Sequence, residues 1–256
     1  MIHAVIKFGG SAITEKSKPF TANTYVIDQL AKELSQVNKK MVLVHGGGSY
    51  GHTVVLKYGV GIRTRYERLG SSKAKLAMQE LNTIVCKALI RHGLYPYSIP
   101  PSCIFELSDG QVNSVKVKIL RDLLKQNFLP VLYGDVVIDK VKAFTVLSGD
   151  EIVCQLAKIM KAKRVIFCLD VDGVYDDDPK KNPSAKLITS LSFKQVEELL
   201  SRIPQDLDAT KGMYGKLSSI LRLKDLGLRV YIINGRKPGL LREALLGEPS
   251  LATVIY

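Results

Sequence analysis

The sequence predicts an α/β fold around a mostly parallel sheet, and three features carry that expectation. Short, branched apolar runs recur at 41–44, 164–169 and 229–233, each with the length of a buried strand. Between such runs lie stretches whose apolar residues are spaced as on a helix, the clearest being Ala77, Leu81, Ile84, Val85 and Ala88. Several strand exits carry glycine, at Gly9-Gly10, Gly46-Gly47-Gly48 and Gly173. In open sheets of this class, ligands gather beyond the carboxyl ends of the strands.

In chain order, Ala4-Val5-Ile6-Lys7-Phe8 reads as a strand ending in Gly9-Gly10-Ser11. Lys7 is unexpected there, because a buried ammonium must find an anion. Lys16, in the loop that follows, reads on its own as a solvated charge. Residues 24–36 form an amphipathic helix leading to the strand at 41–44. That strand exits into His45-Gly46-Gly47-Gly48-Ser49-Tyr50-Gly51-His52, and Thr53-Val54-Val55-Leu56 continues without Pro or Gly, as a helix would. Glycines at a strand-to-helix junction let a ligand approach the backbone. The amides there face the positive end of a helix dipole, so the junction suits a phosphate. Gly46, Gly48 and Gly51 also fit the dinucleotide pattern G-x-G-x-x-G, but such a site needs an acidic residue at the end of a second strand about 20 residues on, and the region 60–69 is basic and has no strand pattern.

A longer helix is expected over 71–92, capped by Ser71 or Ser72 and ended by Gly93. The segment 95–101 reads as a proline-marked edge, 114–126 as a helix, and 129–133 as a strand. A hairpin is expected around Asp139-Lys140. Ser148-Gly149-Asp150 then caps a helix, where Asp150 complements the dipole. The strand at 164–169 exits into Asp170-Val171-Asp172-Gly173-Val174-Tyr175, where Val174 and Tyr175 break the calcium-loop pattern and a nucleotide base or ribose fits better. The loop 170–190 marks a lobe boundary or a cover. A helix at 193–202 precedes Gly212 and Lys216 at a second anion-friendly helix start, though no Walker A loop occurs. A strand at 229–233, a short helix to about 246 and a strand at 251–255 close the sheet.

The totals narrow the function. With 46% hydrophobic and 24% charged residues the chain is that of an ordinary globular protein. Its apolar runs fall well short of the ~20 residues of a spanning helix, and Lys7 interrupts the start as no signal peptide would. No membrane partner and a cytoplasmic location are expected. Cys86, Cys103, Cys154 and Cys168 show no metal spacing, and no residue is assigned to a metal. The net charge of +13 is spread along the chain without aromatic interleaving, which suits a small, multiply anionic substrate rather than nucleic acid.

Two phosphate-holding places, with lysines and carboxylates beside them, point to phosphoryl transfer between a nucleotide and a second substrate, with Mg²⁺ on the nucleotide. His52 bears on the acceptor. A phosphate acceptor supplies its own nucleophilic oxygen and needs an added donor to hold it, which an imidazole able to carry a proton at pH 7 provides.

These blocks, together with Asp208-Ala209-Thr210-Lys211-Gly212-Met213, resemble the amino acid kinase superfamily along essentially the whole chain. The block ending in His52 is similar to that of isopentenyl phosphate kinases. The resemblance implies a three-layer αβα sandwich, with an acceptor lobe over about 1–162 and a nucleotide lobe over about 163–256. It implies ATP-dependent phosphorylation of isopentenyl phosphate to the diphosphate, and a homodimer. His52 would bind the acceptor phosphate near Gly46, Gly51 and Gly149. Lys7, Lys16 and Lys216 would serve the ATP phosphates and the transferring group, Lys16 stabilising the transition state, and Asp150 would orient lysines. Gly9, Gly10, Ser11 and Gly47 would line the phosphates, with Asp170, Tyr175 and Gly212 on the nucleotide side. The acceptor's tail is expected on the 71–92 helix and the segment after it. Lys211 stands where the family commonly has glycine. The alternatives are a kinase for another phosphate or phosphonate, such as fosfomycin, and a silent nucleotide-binding regulator.

Overall fold

The computed structural model describes residues 1–61, 65–179, 181–202 and 211–256, without the side chains of Arg202 and Lys211. Its first half runs β1 (Ile2–Phe8), α1 (Gly10–Ile13), α2 (Thr24–Ser35), β2 (Met41–His45), α3 (Gly48–Tyr58), α4 (Glu67–Arg91), β3 (Pro96–Ser98), β4 (Phe105–Ser108), β5 (Gln111–Val115), α5 (Lys118–Lys125), β6 (Leu129–Tyr133), β7 (Asp135–Asp139) and β8 (Ala143–Leu147). The second half runs α6 (Gly149–Ile159), β9 (Ala162–Leu169), β10 (Val174–Tyr175), β11 (Leu187–Ile188), β12 (Ser190–Leu191), α7 (Phe193–Arg202), α8 (Lys211–Ile220), β13 (Arg229–Asn234), α9 (Leu240–Leu246) and β14 (Thr253–Ile255).

An eight-stranded sheet in the order β12-β14-β13-β9-β1-β2-β6-β3 forms the middle layer. Among the described pairs only β13–β14 is antiparallel. The central strands are apolar on both faces because helices cover both. Ala4, Ile6 and Phe8 of β1 pack with Ile27 and Leu30 of α2, Leu81 and Val85 of α4, and Leu241 of α9. Val5 points the other way, into a core with Val42, Ile152, Leu156, Leu217 and Ile220. Successive strand residues alternate faces, so Lys7 falls on the side of α6 and α8. The three layers and the mostly parallel sheet match expectation.

Four boundaries differ. Helix α4 begins at Glu67, so Ser71 and Ser72 lie inside it rather than capping it. Its start is set instead by Glu67, which favours the dipole and accepts the Gly61 N–H at 2.9 Å. Residues 114–115 belong to β5, and α5 starts only at Lys118. The hairpin β4–β5 joins β7 and β8 in a four-stranded second sheet, in the order β5-β4-β7-β8. Its turn residues Asp109 (φ 51°) and Gly110 (φ 77°) both have positive φ, as a type I′ hairpin turn requires. The strand expected at 251–255 is β14, and beside it lies β12, an outermost strand that the sequence did not lead us to expect. Finally, the 170–190 segment carries the antiparallel pair β10–β11. Thr253 fastens it, with Oγ1 accepting from Val174 N–H at 2.8 Å and donating to the Ile188 carbonyl at 2.6 Å.

Candidate active site

The carboxyl ends of β1, β2 and β9 open onto the first turns of α1, α3 and α6, whose leading amides have no intrahelical partner. In the centre stands Asp150 in the first turn of α6, where Ser148 caps the helix by accepting the Glu151 N–H at 3.1 Å. Its carboxylate holds Lys7 Nζ at 2.7 Å and Lys216 Nζ at 2.9 Å. The two lysine side chains are only 7% and 9% exposed, so a cationic group of net +1 is built into the floor. Burial is the first influence on Lys7, and with the neighbouring Lys216 it brings the ammonium down to about 8 despite Asp150. Burial pulls the Asp150 carboxyl upward, but Lys7 and Lys216 together outweigh it and leave it at about 2. The anion that Lys7 was expected to need is therefore Asp150. Lys216 also lies 5.4 Å from the centre of the Phe167 ring.

Two glycine turns interlock above this floor. A Cβ on Gly46 would come within 2.6 Å of Gly10 N, and one on Gly10 within 2.3 Å of Gly48 N. Gly48 has φ +47°. The glycines thus serve close packing of the two turns as well as open access to their amides. Thr14 clamps the junction by accepting the Ser49 N–H at 3.0 Å through Oγ1. A Cβ on Gly149 would sit 3.1 Å from Lys7 Cε and 3.4 Å from the His45 carbonyl oxygen, which puts the start of α6 against both the lysine and the β2 exit.

The two histidines of the glycine block have different surroundings. His45 is wholly buried, stacks on Tyr133 at 5.3 Å, and places Nδ1 3.2 Å from the Gly46 carbonyl and Nε2 3.3 Å from the Asn82 amide. Burial brings its pKa to about 4, so the ring is neutral and props the turn. His52, on the first turns of α3, is exposed. Surrounding protein and the Lys7 charge lower its pKa, and Asp150 opposes them only in part. These surroundings hold the ring's proton less firmly than on a free imidazole.

On the other flank, Lys16 pairs with Asp170 at 2.8 Å, apart from the Lys7–Asp150–Lys216 group. Its side chain is 57% exposed. Tyr175 donates its hydroxyl to Asp172 at 3.2 Å, and the same carboxylate receives Asn234 at 2.9 Å and Lys237 at 2.8 Å. Arg236 donates to the Ser11 carbonyl at 2.9 Å, which draws the β13 exit up to the β1 turn. Gly212 is exposed in the first turn of α8. Asp208, Ala209 and Thr210, and the Lys211 side chain, lie outside the described residues.

Sequence reasoning missed Asp172, Asn234 and Lys237 as one polar group. It also missed Met78, whose sulfur stands 2.9 Å from where a Gly51 Cβ would be, closing α4 over the turn. Among the described residues no group of three His, Cys, Asp or Glu is arranged to hold a metal ion.

Comparison with known proteins places the chain in context. Residues 3–234 match the model of the amino acid kinase family. The isopentenyl phosphate kinase of Methanothermobacter thermautotrophicus is 33% identical, with 98% of each chain covered. That of Thermoplasma acidophilum is 35% identical over 91% of this chain and 92% of its own. A solved structure of isopentenyl phosphate kinase superposes with a TM-score of 0.86 at 31% identity, covering 99% of this chain and all of the other.

Proposed function

The chain belongs to the amino acid kinase family, and from that premise we propose that it phosphorylates isopentenyl phosphate, with ATP as donor, to give isopentenyl diphosphate. The observation that supports this most is Asp150 gripping Lys7 and Lys216 at 2.7 and 2.9 Å beside the paired glycine turns. An acceptor-phosphate oxygen forms a bond to the γ-phosphorus as the bond from that phosphorus to the β–γ bridging oxygen breaks, and ADP leaves. The acceptor needs no strong base, so the protein's task is positioning and neutralising charge.

In this reading the acceptor phosphate lies on the amides around Gly46, Gly51 and Gly149 and takes a hydrogen bond from His52. A neutral imidazole donates through one nitrogen, and the arriving dianion supplies the countercharge that draws a second proton onto the ring. Lys7 and Lys216 face the β- and γ-phosphates, held apart and aimed by Asp150. Lys16, on a long exposed side chain, leaves Asp170 to meet charge developing in the transition state. Gly9, Gly10, Ser11, Gly47 and Gly212 line the phosphates, while Asp170 and Tyr175 attend the nucleoside. Mg²⁺ suits substrate phosphates with few protein ligands, so it would travel on ATP and neutralise the phosphate oxygens. The sheet's β1–β2–β6 half would carry the acceptor and its β9–β13 half the nucleotide, the two lobes meeting near residue 162.

No described helix is long and apolar enough to cross a membrane; the proposed setting is the cytoplasm and the proposed assembly a homodimer. A fosfomycin-type activity and a silent regulator are both disfavoured by relatives named isopentenyl phosphate kinase. Coupled ADP release with isopentenyl phosphate, dimethylallyl phosphate and fosfomycin tests the proposal. Turnover with a prenyl phosphate supports it, and turnover with neither prenyl phosphate refutes it.

A further inference from the structure

On α4, Ser71, Lys75, Met78 and Asn82 recur at helical spacing and share one stripe. Asn82 meets His45, and Met78 covers the Gly47–Gly51 turn. One turn further on, Lys75 leaves the helix toward Asp135, the residue after Gly134 at the end of β6. Its ammonium lies 2.9 and 3.1 Å from the two Asp135 oxygens and 2.8 Å from Ser102 Oγ. The Asp135 side chain is 1% exposed, whereas that of Lys75 is 35% exposed. Asp135 is further held by the N–H groups of Ser102 at 3.0 Å and Val136 at 2.8 Å. The carboxylate is thus filled, and the ammonium also reaches the Val136 carbonyl at 3.5 Å, so the donors left in the group are hydroxyls. The Ser102 hydroxyl, accepting from Lys75, has its own hydrogen to give. Ser71 Oγ is buried and meets no partner among the described residues.

With a rise of ~1.5 Å per residue, Lys75 stands ~4.5 Å beyond Met78, within reach of about five bonds from a phosphate at Gly51. We infer that Lys75, Ser71 and Ser102 form a polar end wall that recognises an oxygen function at the far end of a short phosphomonoester, so that this chain favours a terminally hydroxylated acceptor over its hydrocarbon counterpart. The inference rests on the acceptor position given above. The C5 tail of isopentenyl phosphate is accommodated by the Met78 thioether and the methylene stem of Lys75. A longer apolar tail would have to displace or desolvate the ion pair.

The test compares kcat/KM for pentyl phosphate and 5-hydroxypentyl phosphate, with isopentenyl phosphate alongside, in the wild type and in Lys75→Met/Asp135→Asn. The wild type is expected to favour the hydroxylated probe about tenfold, since a site built to bond a hydroxyl penalises its absence. In the double variant that ratio is expected to fall to about one or below, with the KM for ATP within about twofold of the wild type. A merely structural ion pair would lower the Tm of the variant and leave the ratio unchanged. If the double variant does not fold, Ser71→Ala, which breaks no existing hydrogen bond, is expected to reduce the ratio at least twofold. A wild-type ratio of one or less, or a ratio that neither variant moves, overturns the wall while turnover of isopentenyl phosphate leaves the activity standing. If isopentenyl phosphate is not phosphorylated, the activity falls, and calorimetric binding of the two alkyl phosphates decides the wall by the same ratio.

Discussion

Asp150→Asn probes the charge arrangement at the heart of the site. The carboxylate touches Lys7 at 2.7 Å and Lys216 at 2.9 Å, both nearly buried. At such distances each attraction is roughly 4–6 kcal/mol at an effective dielectric of about 20, before desolvation is counted. Neutralising the carboxylate leaves two buried ammonium groups facing each other with no counterion. Removing one partner from a buried pair costs about 3–5 kcal/mol. For a chain of this length each kcal/mol shifts Tm by about 2–4 °C, so the variant should melt about 10 °C below the wild type. Lys7, already brought to about 8 in the wild type, should then lose its proton more readily, and kcat should fall with it. ATP supplies the missing negative charge, so the Tm gain on adding ATP should be larger for the variant than for the wild type. Thermal denaturation with and without ATP reads both effects. A variant that melts within 2 °C of the wild type and gains no more from ATP would show that Asp150 does not organise the lysines.

Three further outcomes follow from the same geometry. His52→Ala should lower kcat by at least about 100-fold, as loss of one preorganised donor does, with ATP affinity nearly unchanged, and His52→Gln should recover part of it; a parallel loss of ATP affinity would place the ring on the wrong substrate. Lys16→Ala should reduce kcat more than it raises either KM, the pattern of a contact made in the transition state, and an effect confined to KM for ATP would contradict that role. In the pH profile, the free-enzyme parameter kcat/KM for ATP should decline as pH rises through about 8, because the Lys7 ammonium is lost there. Bound phosphates hold that proton on, so kcat itself should persist to higher pH; a flat kcat/KM between pH 7 and 10 would refute the assignment.

Much of the fold was legible because each central strand is a short apolar run with its own turn residues, as Met41–His45 and Arg229–Asn234 show. Lys7 was legible as an anomaly, a charge inside such a run, and the structure answers it with Asp150. The β4–β5 hairpin was lost for a physical reason. Its second strand, Gln111–Val115, is polar and half-exposed, so periodicity is weak and only the Asp109-Gly110 turn betrays it. The early start of α4 was hidden because Tyr66 caps it without a side-chain bond. The glycine block was legible as an open turn between a strand and a helix, but not the fit of Gly46 against Gly10, which needs both turns in three dimensions. Pairs made only by the fold, such as Lys75 with Asp135 and Asp172 with Lys237, leave no local trace in the sequence.

The most direct measurement is a crystal structure of the protein soaked with isopentenyl phosphate and a non-hydrolysable ATP analogue. The monoester phosphate is expected within hydrogen-bond distance of His52 and of amides around Gly46, Gly51 and Gly149, with an oxygen in line with the γ-phosphorus and Lys7 and Lys216 on the analogue's phosphates. A monoester lodged in another cleft, with His52 turned away from it, would contradict the account.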